Sequence, residues 1–308
     1  LNTIKANNTY RQPLYCPRCK DALVAMSDKY FCQNCAHFYP ILDGIPSLVD
    51  ENTIVNMDSF DASAFEFLFE MERKHFWHVG RREIILDVIE RDVPKLQNIR
   101  MLEIGCGNGS VLAFLKQNGI DIEGGDIFLE GLRFCRQRTS SVALYQIDAL
   151  SLPFNNDYEV IGIFDVLEHI EDDEKVLAEI NRALKAGGKL ILTVPVHKFL
   201  WSRHDEASHH KRRYSRMELV TKLEQSGFAV EKVSYYMFFL FPLLAVIRLI
   251  GKYGKRRSAV KMGSTPLELK TVPVVNEVFL GLLRLERFLL RYFNLPFGTS
   301  LMFLARKT

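Results

Sequence analysis

Short apolar runs recur along residues 99–195, each ending in a polar or glycine-rich turn and most followed by a stretch of helical period. Residues 99–104 read as a buried strand, and Ser110-Val-Leu-Ala-Phe-Leu-Lys116 as the helix after it. Further strands are predicted over 120–126, 143–149, 158–164 and 189–195. A helix over 172–185 with a Gly187-Gly188 stop precedes the last of these. Alternating β and α elements predict a doubly wound α/β sheet with its ligand at the carboxyl ends of the strands. Residues 229–236 and 300–306 suit two closing strands, giving seven. Residues 65–93 read as helical with an interruption near Gly80.

The first strand runs into Glu103-Ile-Gly105-Cys106-Gly107-Asn108-Gly109. Three spaced glycines allow positive φ and close backbone approach to a ligand, whose charge the following helix N-terminus favours. Alone this turn does not separate a dinucleotide enzyme from other nucleotide binders, although a dehydrogenase prefers G-x-G-x-x-G over the G-x-G-x-G found here. The second strand ends in Asp126, about twenty residues on, where a carboxylate can accept hydrogen bonds from ribose hydroxyls. The third strand ends in Asp148-Ala149, and the fourth in Asp165-Val-Leu-Glu168-His169.

Over residues 75–236 this succession resembles the class I S-adenosylmethionine-dependent methyltransferases. The resemblance implies a seven-stranded Rossmann-like sheet. It implies that Glu103 to Gly109 hold the methionine part of the cofactor, Asp126 and Ile127 the ribose, and Asp148 and Ala149 the adenine, with Asp165 at the edge of that site. Trp77 would wall the pocket and Arg81 meet an anionic group; an aromatic helix stripe with solvated arginines is the plainer alternative. His169, at the end of the fourth strand, would lie near the transferred methyl as a base or as a shaper of the pocket.

The loop after Pro195 gathers His197, His204, Asp205, His209, His210, Arg213 and Tyr214. Members of the resembling branch carry a similar His-Asp and His-x-x-Arg-Tyr pattern. His204 or His210 would then be the base, Asp205 would orient a histidine, and Arg213 would bind an acceptor phosphate or carboxylate beside Tyr214.

Cys16-Pro-Arg-Cys19 and Cys32-Gln-Asn-Cys35 form two C-x-x-C pairs, a spacing that suits four thiolates around one structural zinc. With the following Phe38-Tyr-Pro-Ile-Leu-Asp-Gly-Ile-Pro they resemble the small zinc-ribbon protein that activates several methyltransferases. The expected organisation is a zinc ribbon over 1–50, a linker over 51–64, a methyltransferase domain over 65–236 and 294–308, and a helical insertion over 237–293.

Composition changes the picture in the insertion alone. The 308 residues carry a net charge of +3, too small to imply nucleic acid. Residues 238–293 hold ten Lys or Arg against three Glu, a net of +7, so the remainder is −4. The apolar run 237–247 is shorter than the roughly 20 residues a bilayer span needs. Apolar and basic character together suit a cap over a small, hydrophobic or lipid-linked acceptor, or attachment to an anionic membrane surface. A dimer interface is the plainer alternative, and nothing in the pattern assigns an oligomeric state. The expected activity is methylation of a hydroxyl or similar nucleophile. An RNA or protein methyltransferase using the ribbon for recognition, and a non-catalytic cofactor-binding scaffold, are the alternatives. Cys106 and Cys135 read as packing residues, and a reducing cytoplasm is the expected setting. The chain begins with Leu, which leaves a preceding targeting segment open.

Overall fold

A computed structural model describes residues 10, 13–50, 62–93, 99–253 and 272–308. Eleven strands are joined in one mixed sheet. They are β1 (Leu23–Ala25), β2 (Lys29–Cys32), β3 (Phe38–Leu42), β4 (Ile45–Leu48), β5 (Met101–Ile104), β6 (Ile122–Asp126), β7 (Leu144–Ile147), β8 (Tyr158–Phe164), β9 (Leu184–Pro195), β10 (Phe228–Tyr236) and β11 (Ser300–Lys307). Their order is β1-β2-β3-β4-β7-β6-β5-β8-β9-β11-β10.

The seven strands expected from the pattern form the run from β7 to β10, but the sheet does not stop at seven. Strand β4 of the cysteine-bearing segment adds parallel to β7, pairing Ser47 with Gln146 and Leu48 with Ile147. Such pairing needs an apolar strand with both faces covered, and β4 is buried along its length. The four N-terminal strands therefore extend the main sheet.

Helices cover both faces. Val176, Leu177 and Ile180 of the Asp173–Ala183 helix pack in one apolar cluster with Leu219 and Leu223. On the other face Ile84, Ile85, Leu112, Leu132 and Leu283 share a second cluster. Strand β11 runs antiparallel between β9 and β10.

Two local expectations are corrected. Residues 62–92 are helical but break at His75, where the backbone turns extended and the ring accepts the Trp77 N–H at 3.3 Å. Gly80 lies inside the Phe76–Asp92 helix. A Cβ there would sit 2.5 Å from Leu283 Cδ1, so its small size serves helix packing rather than a break. The Gly187-Gly188 pair likewise falls inside β9. Register jumps from Tyr158↔Leu184 to Val160↔Lys189, so the glycines form a bulge, the Asp173–Ala183 helix having already ended.

The expected insertion holds helices Phe241–Tyr253 and Pro273–Leu290. Glu286, fully buried on the second, accepts the N–H groups of Met237 (2.5 Å) and Phe238 (2.8 Å) where the chain leaves β10. The expected basic rim is largely spent within the described residues: Arg284 and Arg287 pair with Glu83, and Arg291 with Asp87. The linker residues 51–61, and the basic residues Lys255, Arg256, Arg257, Lys261 and Lys270, lie outside the described residues.

Candidate active site

The glycine turn follows β5 and feeds the Ser110–Gln117 helix. Gly107 has φ +49° and nothing within 4 Å of the place a Cβ would take, so its backbone faces open space. Gly109 has φ +73° and packs so closely on the next helix that a Cβ would lie 2.3 Å from Cys135 Sγ. One glycine opens the turn toward a ligand, and the other seats it.

Asp126 closes one side. Its carboxylate accepts the Gly107 N–H at 2.7 Å and the Phe128 N–H at 2.9 Å, which fixes both oxygens while leaving each a lone pair. Burial raises its pKa, and these backbone N–H groups oppose the rise. Asp148 accepts the Leu150 N–H at 2.8 Å, ordering the turn that carries buried Ala149. Ile127 offers its carbonyl to Gln146 Nε2 at 2.9 Å, and Ser47 of β4 bonds that same amide at 2.7 Å. The N-terminal segment thus braces the residue beside Asp126.

Glu103 is 3% exposed, and its Oε2 has no hydrogen-bond partner among the described residues. Burial pushes its carboxyl up to about 8, against the pull of Arg81. An orphaned buried carboxyl suits the ammonium of an amino-acid ligand. Together with the open face at Gly107 and the oriented Asp126, it fits the aminoacyl-nucleoside shape of S-adenosylmethionine.

Other expected residues are placed differently. Arg81 does meet an anion, but the anion is Asp165, with its guanidinium 4.5 Å above the Trp77 ring. Trp77 is half-buried beneath it rather than an open wall. Asn108 turns away from the open side and donates to the Phe65 carbonyl at 2.9 Å, tying the preceding helix to the turn. The Cys106 thiol is pushed well up by its hydrogen bond to Cys135 and by burial, so it stays a neutral packing group.

The acceptor-side residues converge past the end of β8. His169 and His210 lie edge to face with centroids 4.7 Å apart, and His204 is 6.3 Å from His210. Burial, then the charge of His210, lowers His169 to about 4, so its ring is neutral. Asp205, with a fully buried side chain, bonds His210 Nδ1 at 2.9 Å, which matches its expected orienting part. Arg213 is corrected. Only 3% exposed, it donates Nε to Asp205 at 2.7 Å and Nη1 to the Val196 carbonyl at 3.0 Å, so it holds the loop and does not face an acceptor anion. Tyr214 is buried too and donates to Asp173 at 2.8 Å. Glu168, which shares the two readings given for His169, is 1% exposed and lies with the two histidines.

At the far end of the sheet the four cysteines come together. Cys16 and Cys35 Sγ are 3.6 Å apart and Cys19 and Cys32 Sγ 3.3 Å, all four unbridged. A zinc tetrahedron with ~2.3 Å bonds has sulfur edges of ~3.8 Å, so this donor set fits. Burial raises the Cys16 thiol, but hydrogen bonds from Tyr39 and the Cys19 and Arg18 backbone bring it down to about 7.

The sheet is doubly wound, with a glycine turn and a buried acid at the carboxyl ends of its strands. Residues 102–192 match the family model described as a methyltransferase domain. An uncharacterised protein of Methanocaldococcus jannaschii is 30% identical over 161 residues, covering 50% of this chain and 74% of that one. The chain carries an S-adenosylmethionine-dependent methyltransferase domain. It is 30% identical to the demethylmenaquinone methyltransferase of Renibacterium salmoninarum over 36% of this chain and 46% of that one. It is 24% identical to the ubiquinone biosynthesis O-methyltransferase of Leptothrix cholodnii over 35% of this chain and 49% of that one. It therefore spans less than half the length of each of these two relatives. In fold it is similar to a phosphoethanolamine N-methyltransferase of Haemonchus contortus (TM-score 0.53, 18% identity, 88% of this chain and 62% of that one). It is also similar in fold to a Haloferax volcanii complex of the Trm112 methyltransferase activator with a putative methyltransferase (TM-score 0.51, 18% identity, 80% and 93%).

Proposed function

We propose that this enzyme transfers the methyl group of S-adenosylmethionine to a hydroxyl or similar nucleophile of a hydrophobic or lipid-linked small molecule. Glu103 and the glycine turn hold the methionine part, Asp126 the ribose, and the turn at Asp148 the adenine. The sulfonium carbon is already activated, so the protein's main task is alignment of donor and acceptor and handling of one proton. His169 and His210 stand at the acceptor end of that alignment.

The observation that carries the acceptor class is the apolar surface beside this cluster. Leu243, Val246, Ile247 and Ile250 of the Phe241–Tyr253 helix are exposed, and so are Val274, Val278, Leu285 and Phe288 of the Pro273–Leu290 helix. Arg248, on the first helix, donates to the Leu200 carbonyl at 3.3 Å, so this surface adjoins the histidine loop. Exposed apolar residues in this number on two helices mark a binding face. The quinone-pathway names of the relatives agree with it. No described helix is long and apolar enough to cross a membrane.

The four cysteines hold a structural zinc, because a closed thiolate shell leaves no position for water. The segment through β4 then acts as an internal brace on Gln146 and Ile127, and residues 237–293 form the acceptor-side cap. Incubation with methyl-labelled cofactor and separated lipid, RNA and protein fractions tests the reading. Label in the lipid fraction is expected. Label in RNA or protein alone overturns the acceptor class, and no label anywhere, with cofactor bound, favours a silent scaffold.

A further inference from the structure

Past the end of β8, Glu168, His169 and His210 each offer one donor atom, and these atoms all lie within 4.8 Å of one another. We infer that they form a divalent-cation site that holds the acceptor oxygen during methyl transfer. The inference rests on the methyltransferase reading and deepens it at the same site.

Three features carry it. Glu168 Oε2 is buried and has no hydrogen-bond partner among the described residues, while Asp165 stands nearby as a second acid. A buried carboxylate in that position costs free energy that a cation would offset. The His210 imidazole is oriented through Nδ1, which meets Asp205 at 2.9 Å and leaves Nε2 for an ion. A carboxylate behind a ligating histidine is the usual outer shell of a metal site, and here Arg213 fixes that carboxylate in turn. Finally, Lys211 N–H bonds the Glu168 carbonyl at 2.8 Å, so the segment carrying His210 is fastened to the strand end carrying the other two donors.

Two imidazoles and one carboxylate leave coordination positions open, the arrangement expected of a catalytic rather than a structural ion. The ion would lower the pKa of a bound hydroxyl. The acceptor oxygen then forms its bond to the methyl carbon as the carbon–sulfur bond breaks. The electron pair of that bond stays on sulfur, giving neutral S-adenosylhomocysteine, and the hydroxyl proton leaves to solvent.

Manganese(II) titration of the full zinc-loaded chain, followed by electron paramagnetic resonance, tests the site, since thiolates disfavour this ion. About one equivalent of free-ion signal should disappear, and spin-echo spectra should show modulation from imidazole nitrogen. Glu168→Gln and His210→Ala should each weaken binding at least tenfold while cofactor affinity is kept. An undiminished free-ion signal, or binding without nitrogen modulation in the unaltered chain, overturns the proposal whatever the variants do. If the ion binds as described but no fraction accepts label, the site stands and the acceptor reading fails.

Discussion

Cofactor binding should depend on pH through Glu103, and the dependence follows from its burial. Its carboxyl, ordinarily near 4.5, stands at about 8 in the free protein. That displacement corresponds to ~5 kcal/mol against the ionised form. The pKa of an acid is raised here, so the carboxylate is absent below 8 and appears as pH rises through it. Binding the cofactor's ammonium needs the carboxylate, so binding at pH 7 should release about 0.9 proton, and affinity should fall about tenfold per pH unit below 8. Loss of the cofactor's own ammonium, with an ordinary α-amino pKa of about 8, weakens binding on the alkaline side. A bell centred near pH 8 is therefore expected for 1/Kd measured by titration calorimetry. Glu103→Gln should remove the acid limb. At pH 8 the variant should bind ~10- to 100-fold more weakly, the worth of a charge-assisted hydrogen bond, while at pH 6 it should approach the unaltered protein. An unaltered-protein Kd equal at pH 6 and 8, or an acid limb that survives in Glu103→Gln, would refute the assignment.

Asp205→Ala should destabilise the fold by ~3–5 kcal/mol, because Arg213 is left buried without its counter-charge, and melting should drop by ~6 °C or more. Combining it with Arg213→Met should recover much of that loss. Burial raises the Asp205 pKa, but His210 and Arg213 outweigh it and hold the group well below the usual carboxylate range. The pair's stabilisation is therefore complete above about pH 4 and fades in acid melts as pH falls further. Gly109→Ala combines a left-handed backbone with the 2.3 Å approach to Cys135 and should cost ~2–4 kcal/mol in chemical denaturation; adding Cys135→Ala should restore only part. Chelation of zinc, or Cys35→Ser, should remove one zinc per chain and speed hydrogen exchange in β7. Purified protein without zinc would contradict the structural role.

What the sequence disclosed, and what it hid, divides by the range of the interactions. The strands β5 to β8 and the glycine turn were legible because each is a local pattern with its ending written beside it. The break at His75 was not, since Gly80 carries the stronger local signal and its true partner, Leu283, lies two hundred residues away. Charge counting likewise could not show that Arg284, Arg287 and Arg291 pair with Glu83 and Asp87 of a distant helix. Arg213 looked like an acceptor-binding group because its burial cannot be seen in its spacing to His210. The histidine cluster was partly legible: its imidazoles and Glu168 stood out, whereas the meeting of Glu168 with His210 depends on a contact across some forty residues.

Strand β4 lies on the same chain as the edge it completes. A separate protein supplying that strand would have to be made in matching amounts and would compete with any other client of the same kind. A tethered strand meets its edge at an effective concentration of order millimolar, whatever the expression level. The brace on Ile127 is consequently stoichiometric from synthesis onward, and the exposed strand edge that invites aggregation is covered without waiting for an encounter.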